Sequence, residues 1–330
     1  MPFQELYDQG VDRYLGVYAP MLSEAADGGA VTHLFGEGDG PLCYTANPFS
    51  MSTRDGSSDE LLIFVQGDGI CGTQACAAVE DPIPLIDIGL LSARGQNNPA
   101  ANFNLGYIPY CDGTLFTGDR DVDSDDDGLN DRFFRGAQNL AASLDVIAST
   151  YPAPSRILLA GNSAGGFGTH TALPLVRRLY PDVPVDLIND SGAGILQPGD
   201  QDGLNEYWNA ASNFPASCAD CIGDDGNLTG YHSYQLAQDD NLRMGFISST
   251  ADEVVLSSST IDQATFESEL REAVAELETA CPDRFRSLIN EGEEHTFILT
   301  RFDFAIGDTT VREWVTQMLG GSGDWRSKSE

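Results

Sequence analysis

Gly161-Asn162-Ser163-Ala164-Gly165 is the stretch of this 330-residue chain that most narrows its fold. The pentapeptide fits G-x-S-x-G, a weak pattern alone, and its neighbours make it specific. Arg156 to Ala160 reads as a short buried strand, and a helix is expected from about Gly166 to Tyr180, stopped by Pro181. A serine between such a strand and such a helix sits on a sharp turn with its hydroxyl above a sheet, and the flanking glycines let backbone approach closely.

The surrounding pattern agrees. From Glu60 onward, short β-rich runs alternate with helical segments, the order of a mostly parallel central sheet with helices on both faces. Leu61 to Val65 is a continuous apolar run that enters a tight loop at Gly67-Asp68-Gly69. Tyr107-Ile108-Pro109-Tyr110, Val185 to Ile188 and Met244 to Ser248 are further strand candidates. Helical spacing predicts helices over Arg132 to Tyr151 (Phe133, Leu140, Leu144, Ile147) and over Asp262 to Thr279 (Phe266, Leu270, Val274, Leu277). Phe297-Ile298-Leu299 and a helix from Thr309 to Leu319 finish the domain, and Gly320 to Glu330 reads as a frayed tail. Residues 192–241 show no clear period. Tyr207, Trp208, Phe214, Tyr231 and Tyr234 favour a cleft-forming insertion there over a plain surface loop, because aromatics offer stacking faces for a sugar or an acyl group. One domain, 1–330, holds all of this.

Composition restricts partners and compartment. No apolar run approaches the roughly 18 to 20 residues of a membrane-spanning helix, and Met1-Pro2-Phe3-Gln4-Glu5 lacks the features of a secretory signal. A formal charge of −34 repels phosphate backbones and anionic lipids, so no nucleic-acid partner is expected. Lys328 is the one lysine among the 17 basic residues. A saline habitat, or a GC-rich genome encoding an acidic secreted enzyme, would each account for that skew. Of the seven cysteines, Cys71 with Cys76 and Cys218 with Cys221 are close pairs, Cys43 and Cys111 are placed to join distant loops, and Cys281 is left over. The four histidines are too scattered to turn these pairs into zinc sites, so disulfides in an oxidising, secreted or cell-surface setting are expected, on a monomer.

A serine hydroxyl becomes a useful nucleophile only when a base takes its proton, ordinarily a histidine held by a carboxylate, in the order Ser, Asp or Glu, His. After Ser163 come His170, His232 and His295. His170 falls within the helix behind the turn and His232 within the irregular segment. His295 lies on a late loop from which it can swing over the serine, and is the expected base. Asp252, directly after the strand ending near Ser249, is the expected orienting carboxylate, with Glu253 and Asp190 as alternatives. Charge on a tetrahedral intermediate needs aimed N–H groups, one from Ala164 and others from the loop containing Asp68 and Gly69. The Asp68 backbone, not its carboxylate, is expected to face the site. These are the features of the α/β-hydrolase class.

Asp121-Val-Asp123-Ser-Asp125-Asp-Asp127-Gly128-Leu-Asn-Asp131 alternates oxygen ligands and adds a glycine for the bend, which suits a hard cation. Structural calcium held by Asp121, Asp123, Asp125, Asp127 and Asp131 is the expectation, against a solvated acidic loop. Catalysis needs no cofactor.

The chain also resembles the pectin acetylesterase and Notum family of carboxylesterases. The resemblance rests on Gln66-Gly67-Asp68-Gly69-Ile70-Cys71, Asn97-Asn98-Pro99, Ile108-Pro109-Tyr110-Cys111-Asp112-Gly113, Phe134-Arg135-Gly136, the Ser163 turn with Gly166, and Asn189-Asp190-Ser191-Gly192. It implies an α/β-hydrolase fold, a Ser163-Asp252-His295 triad, an oxyanion hole from Asp68, Gly69 and Ala164, a Cys71 to Cys76 disulfide, and secretion. The chain departs from the family pattern at Asp68, Ile70 and Asn162. Hydrolysis of a short acyl ester, on a small molecule or an O-acetylated polysaccharide, is the expected activity. A lipid or polyester esterase, and an inactive calcium-dependent binding protein on the same scaffold, are the alternatives.

Overall fold

The computed structural model describes residues 2–36, 38–72, 76–195, 206–222, 227–321 and 323–330. Its main sheet is built from β1 (Leu22–Ala25), β2 (Ala30–Leu34), β3 (Ser50–Arg54), β4 (Leu61–Val65), β5 (Asn104–Ile108), β8 (Ile157–Asn162), β9 (Val185–Asp190), β10 (Leu242–Ser249), β11 (Phe285–Asn290) and β14 (Lys328–Ser329). Two small hairpins supply the remaining described strands: β6 (Arg120–Val122) with β7 (Arg132–Phe134), and β12 (Ala305–Ile306) with β13 (Thr309–Thr310). The main sheet runs in the order β1-β2-β3-β5-β4-β8-β9-β10-β11-β14. Pairing is antiparallel from β1 through β3 to β5 and parallel from β5 to β14.

The central strands are wholly buried because both sheet faces are covered. Side chains alternate across a strand, so Leu61, Ile63 and Val65 join one core while Leu62 and Phe64 join the other. The first core packs against helices Gly136–Thr150, Ala164–Leu179 and Gln263–Ala280 through Leu140, Leu173 and Leu270. The second packs against helix Val311–Gly320 through Trp314 and Met318, and against Phe297 and Ile298. The mostly parallel sheet with helices on both sides is the α/β-hydrolase-type fold expected from the sequence.

Several local expectations shift. The helix expected from Arg132 begins at Gly136, because Arg132–Phe134 pairs with Arg120–Val122 and closes a hairpin around the acidic loop. The strand near Tyr107 is Asn104–Ile108, ending before Pro109, which has no N–H to give a ladder. The Ser163 strand continues through Gly161 and Asn162, and Phe297 and Ile298 sit at a buried turn. Strand β11 and the antiparallel β1 to β3 were not evident in the sequence pattern. The tail is not wholly frayed, since Lys328–Ser329 pairs with β11.

Within 192–241, positions 196–205 and 223–226 lie outside the described residues. The aromatics read there as stacking faces are spent on packing: Trp208, Phe214 and Tyr231 are buried, and Tyr207 and Tyr234 lie half-buried against the same core.

Candidate active site

The turn at Ser163 is held in an unusual backbone conformation, φ 55° and ψ −128°, between β8 and the first residue of helix Ala164–Leu179. Such a conformation costs on the order of 1–3 kcal/mol and persists only where neighbours enforce it. Close backbone packing does so here. A Cβ on Gly165 would lie 2.2 Å from the Val65 carbonyl oxygen, and one on Gly67 would lie 1.9 Å from that of Asn162. The glycines therefore let the end of β4, its loop and the turn share one space, which leaves the Ser163 side chain partly exposed at the strand ends.

His295 arrives from 132 residues downstream, with Nε2 2.8 Å from Ser163 Oγ. Its Nδ1 lies 2.9 and 2.8 Å from Asp252 Oδ1 and Oδ2. A carboxylate only accepts, so the imidazole proton sits on Nδ1 and Nε2 is free to accept the serine proton. Asp252 is fully buried and also caps the helix Glu253–Ser258, accepting the N–H groups of Val254 and Val255 at 3.1 and 3.0 Å. The alternatives fall elsewhere. Glu253 is the exposed first residue of that helix. Asp190, at the end of β9, accepts from the Phe297 and Ile298 N–H groups instead of the imidazole. Burial raises the Asp190 carboxyl to about 6, against hydrogen bonds and the charge of His295.

The loop after β4 places Asp68 half-buried and Gly69 against Ala77, with Gly67 pressed on the Ala164 and Gly165 nitrogens. Its far end is clipped by the Cys71–Cys76 disulfide and by Trp208 Nε1, which donates to the Cys71 carbonyl at 2.9 Å. Cys43–Cys111 and Cys218–Cys221 are also joined, and Cys281 is free.

Beneath the site lies a histidine pair whose role the sequence did not suggest. His170 and His232 are both fully buried, with Nδ1 atoms 3.1 Å apart. Pro174 lacks an N–H, so the His170 carbonyl has no helical donor, and Gln235 Nε2 supplies one at 2.7 Å. That fixes Gln235 with Oε1 facing His170 Nδ1–H, while Asn189 Nδ2 donates to His170 Nε2 and His232 donates to the Ala193 carbonyl. Both rings are satisfied as neutral species.

In the acidic loop, Asp123, Asp125 and Asp127 bring carboxylate oxygens within 4.8 Å of one another. The other two expected ligands are engaged. Asp121 is gripped by Arg135 through both oxygens, at 2.9 and 2.6 Å, and Asp131 accepts from the Ser124 N–H and hydroxyl.

Residues 55–205 match the family model described as Pectinacetylesterase. Over that segment the chain is similar to the pectinacetylesterase family. A relative of the same kind, Pectin acetylesterase 4 of Arabidopsis thaliana, is 30% identical over 150 residues, which is 41% of this chain and 36% of that protein. The chain thus matches about a third of its relative's length. The matched family segment contains Asp68, Gly69, Ser163, Ala164 and the acidic loop, and it ends before Asp252 and His295. Those two are joined to the serine by the tertiary structure.

Proposed function

We propose that this protein is a serine carboxylic-ester hydrolase that removes a short acyl group, foremost acetyl, from an O-acylated polysaccharide or similar ester. One observation carries the reading: an unbroken hydrogen-bond chain from Ser163 Oγ through His295 to the buried Asp252. In the proposed reaction His295 Nε2 takes the Ser163 proton as Oγ attacks the ester carbonyl. Asp252 keeps the proton on Nδ1 and stabilises the imidazolium, which then protonates the leaving alcohol. The Asp68 to Gly69 loop and Ala164 face the developing oxyanion with backbone N–H groups. Water, activated by the same imidazole, releases the acid from the acyl-enzyme.

The acetyl preference follows the name of the Arabidopsis relative, Pectin acetylesterase 4, and the three disulfides support a secreted, oxidising setting. The acidic hairpin is proposed to hold a structural calcium ion on Asp123, Asp125 and Asp127, whose oxygens converge as a hard cation requires. Asp121, committed to Arg135, and Asp131, which accepts from Ser124, are left out of that ligand set.

A fluorophosphonate probe tests the proposal, because only an activated serine reacts. Labelling should be lost in Ser163→Ala and kept in a control such as Ser257→Ala. Hydrolysis of p-nitrophenyl esters should peak at acetate; a peak at eight carbons or more would move the substrate to lipids, and no labelling at all would leave a binding protein.

A further inference from the structure

We infer that Asp190 is a positioning residue for the base: its carboxylate, wrapped by backbone N–H groups of the segment after His295, holds the imidazole over Ser163. The inference rests on the triad reading above and deepens it. Asp190 Oδ2 accepts from Phe297 N at 2.7 Å and from Ile298 N at 2.8 Å. Its neighbour Ser191 accepts from Thr296 N at 3.1 Å, and the Ser191 hydroxyl donates to Asp190 Oδ1 at 3.3 Å. Three consecutive N–H groups, beginning directly after His295, therefore converge on one strand end, and the latter two, of Phe297 and Ile298, form an anion-binding concavity. The anion that fills it is a side chain of the same protein.

Two further contacts tie this strap to the chemistry. The Asp190 carbonyl accepts from Ser163 N at 2.7 Å, so one residue anchors both the nucleophile's backbone and the base's loop. Thr296, a β-branched residue, is held at φ 61°, a conformation that turns the chain sharply and that such residues adopt only under constraint. The strap supplies the constraint. Asp190 is fully buried, and His295 is the ionisable side chain whose protonated form acts on it. A purely structural acceptor could be neutral, whereas a buried negative charge also favours the imidazolium that forms as Ser163 attacks.

The test is Asp190→Asn, nearly isosteric, which keeps one oxygen for the Phe297 and Ile298 N–H groups and removes the charge. With p-nitrophenyl acetate, kcat should fall about ten- to hundred-fold while KM stays near the wild-type value, and the acid limb of kcat/KM should move to lower pH. Wild-type kcat with an unmoved acid limb overturns the inference. If Asp190→Asn does not fold, Ser191→Ala, which removes the Thr296 acceptor and the hydroxyl that donates to Asp190 Oδ1 while leaving the Asp190 carboxylate on the Phe297 and Ile298 N–H groups, should show a smaller loss in kcat at unchanged KM, and no loss counts against the inference. The ring Nδ1–H signal of His295 in 15N spectra separates this idea from the hydrolase reading. If the wild type cleaves no ester, yet that signal is protected and then lost in Asp190→Asn, the anchor stands and the esterase reading falls. An identical signal in both proteins refutes the anchor.

Discussion

Asp252 does two jobs that substitution can separate. Its carboxylate fixes the His295 proton on Nδ1, and its Oδ1 caps the helix Glu253–Ser258. In Asp252→Asn the remaining oxygen can still accept from Val254 and Val255, while the new amide donates to Nδ1. The imidazole must then carry its proton on Nε2, where it can no longer accept from Ser163. A wrong tautomer of this kind costs about ten-thousand-fold in kcat, or about 5 kcal/mol of transition-state stabilisation. Asp252→Ala loses activity to a comparable extent and the cap as well, which adds about 1 kcal/mol of destabilisation. For a chain of 330 residues that corresponds to roughly 1–2 °C in Tm. The assay is p-nitrophenyl acetate turnover beside thermal melting of both variants. Asp252→Asn keeping more than a tenth of wild-type kcat would falsify the tautomer argument, and equal melting of the two variants would remove the capping role.

The buried histidines make a pH prediction with a defined sign. Burial pushes His232 down to about 4 and His170 well below its usual value. The unfolded chain takes up protons near 6.5 while the folded one does not, so this stability is whole above pH 6.5 and is lost as pH falls through 4, about 3 kcal/mol for His232. Asp112 and Asp190, raised by burial to about 6, act oppositely, stabilising below the ordinary carboxylate range and losing that contribution as pH rises through 6. Comparison of Tm between His232→Gln and wild type isolates the imidazole: the difference should grow in the variant's favour from pH 6.5 to 4, and parallel curves would refute it. For the acidic hairpin, chelation should lower Tm by several degrees and calcium should restore it, with the response absent in Asp125→Ala; a Tm indifferent to chelator removes the calcium site.

Local sequence carried a great deal here. The Leu61 to Val65 run, the Ser163 turn and the helix Gln263–Ala280 follow from apolar periodicity and from glycine placement, which act over a few residues. The cysteine spacing likewise matched the observed pairs. The helical pattern from Arg132 misled because Phe133 and Phe134 serve a hairpin instead, and the pairing partner lies across the acidic loop. Strand β11, with buried Ser287 and Asn290 among its apolar residues, shows no clean alternation and gains its conformation from β10 alongside it.

What the chain determined by itself was the identity of the groups able to do chemistry and the tight bend that exposes one of them. Only the folded sheet decided which carboxylate reaches the imidazole: Asp190 ends one strand and Asp252 follows the end of its parallel neighbour, and the sequence offers both. Backbone N–H groups of Phe297 and Ile298 claim the first, so the second is left to the ring. Contacts of that kind join residues from 43 to 108 positions apart, and their geometry is set by strand order and loop packing, which no local pattern encodes.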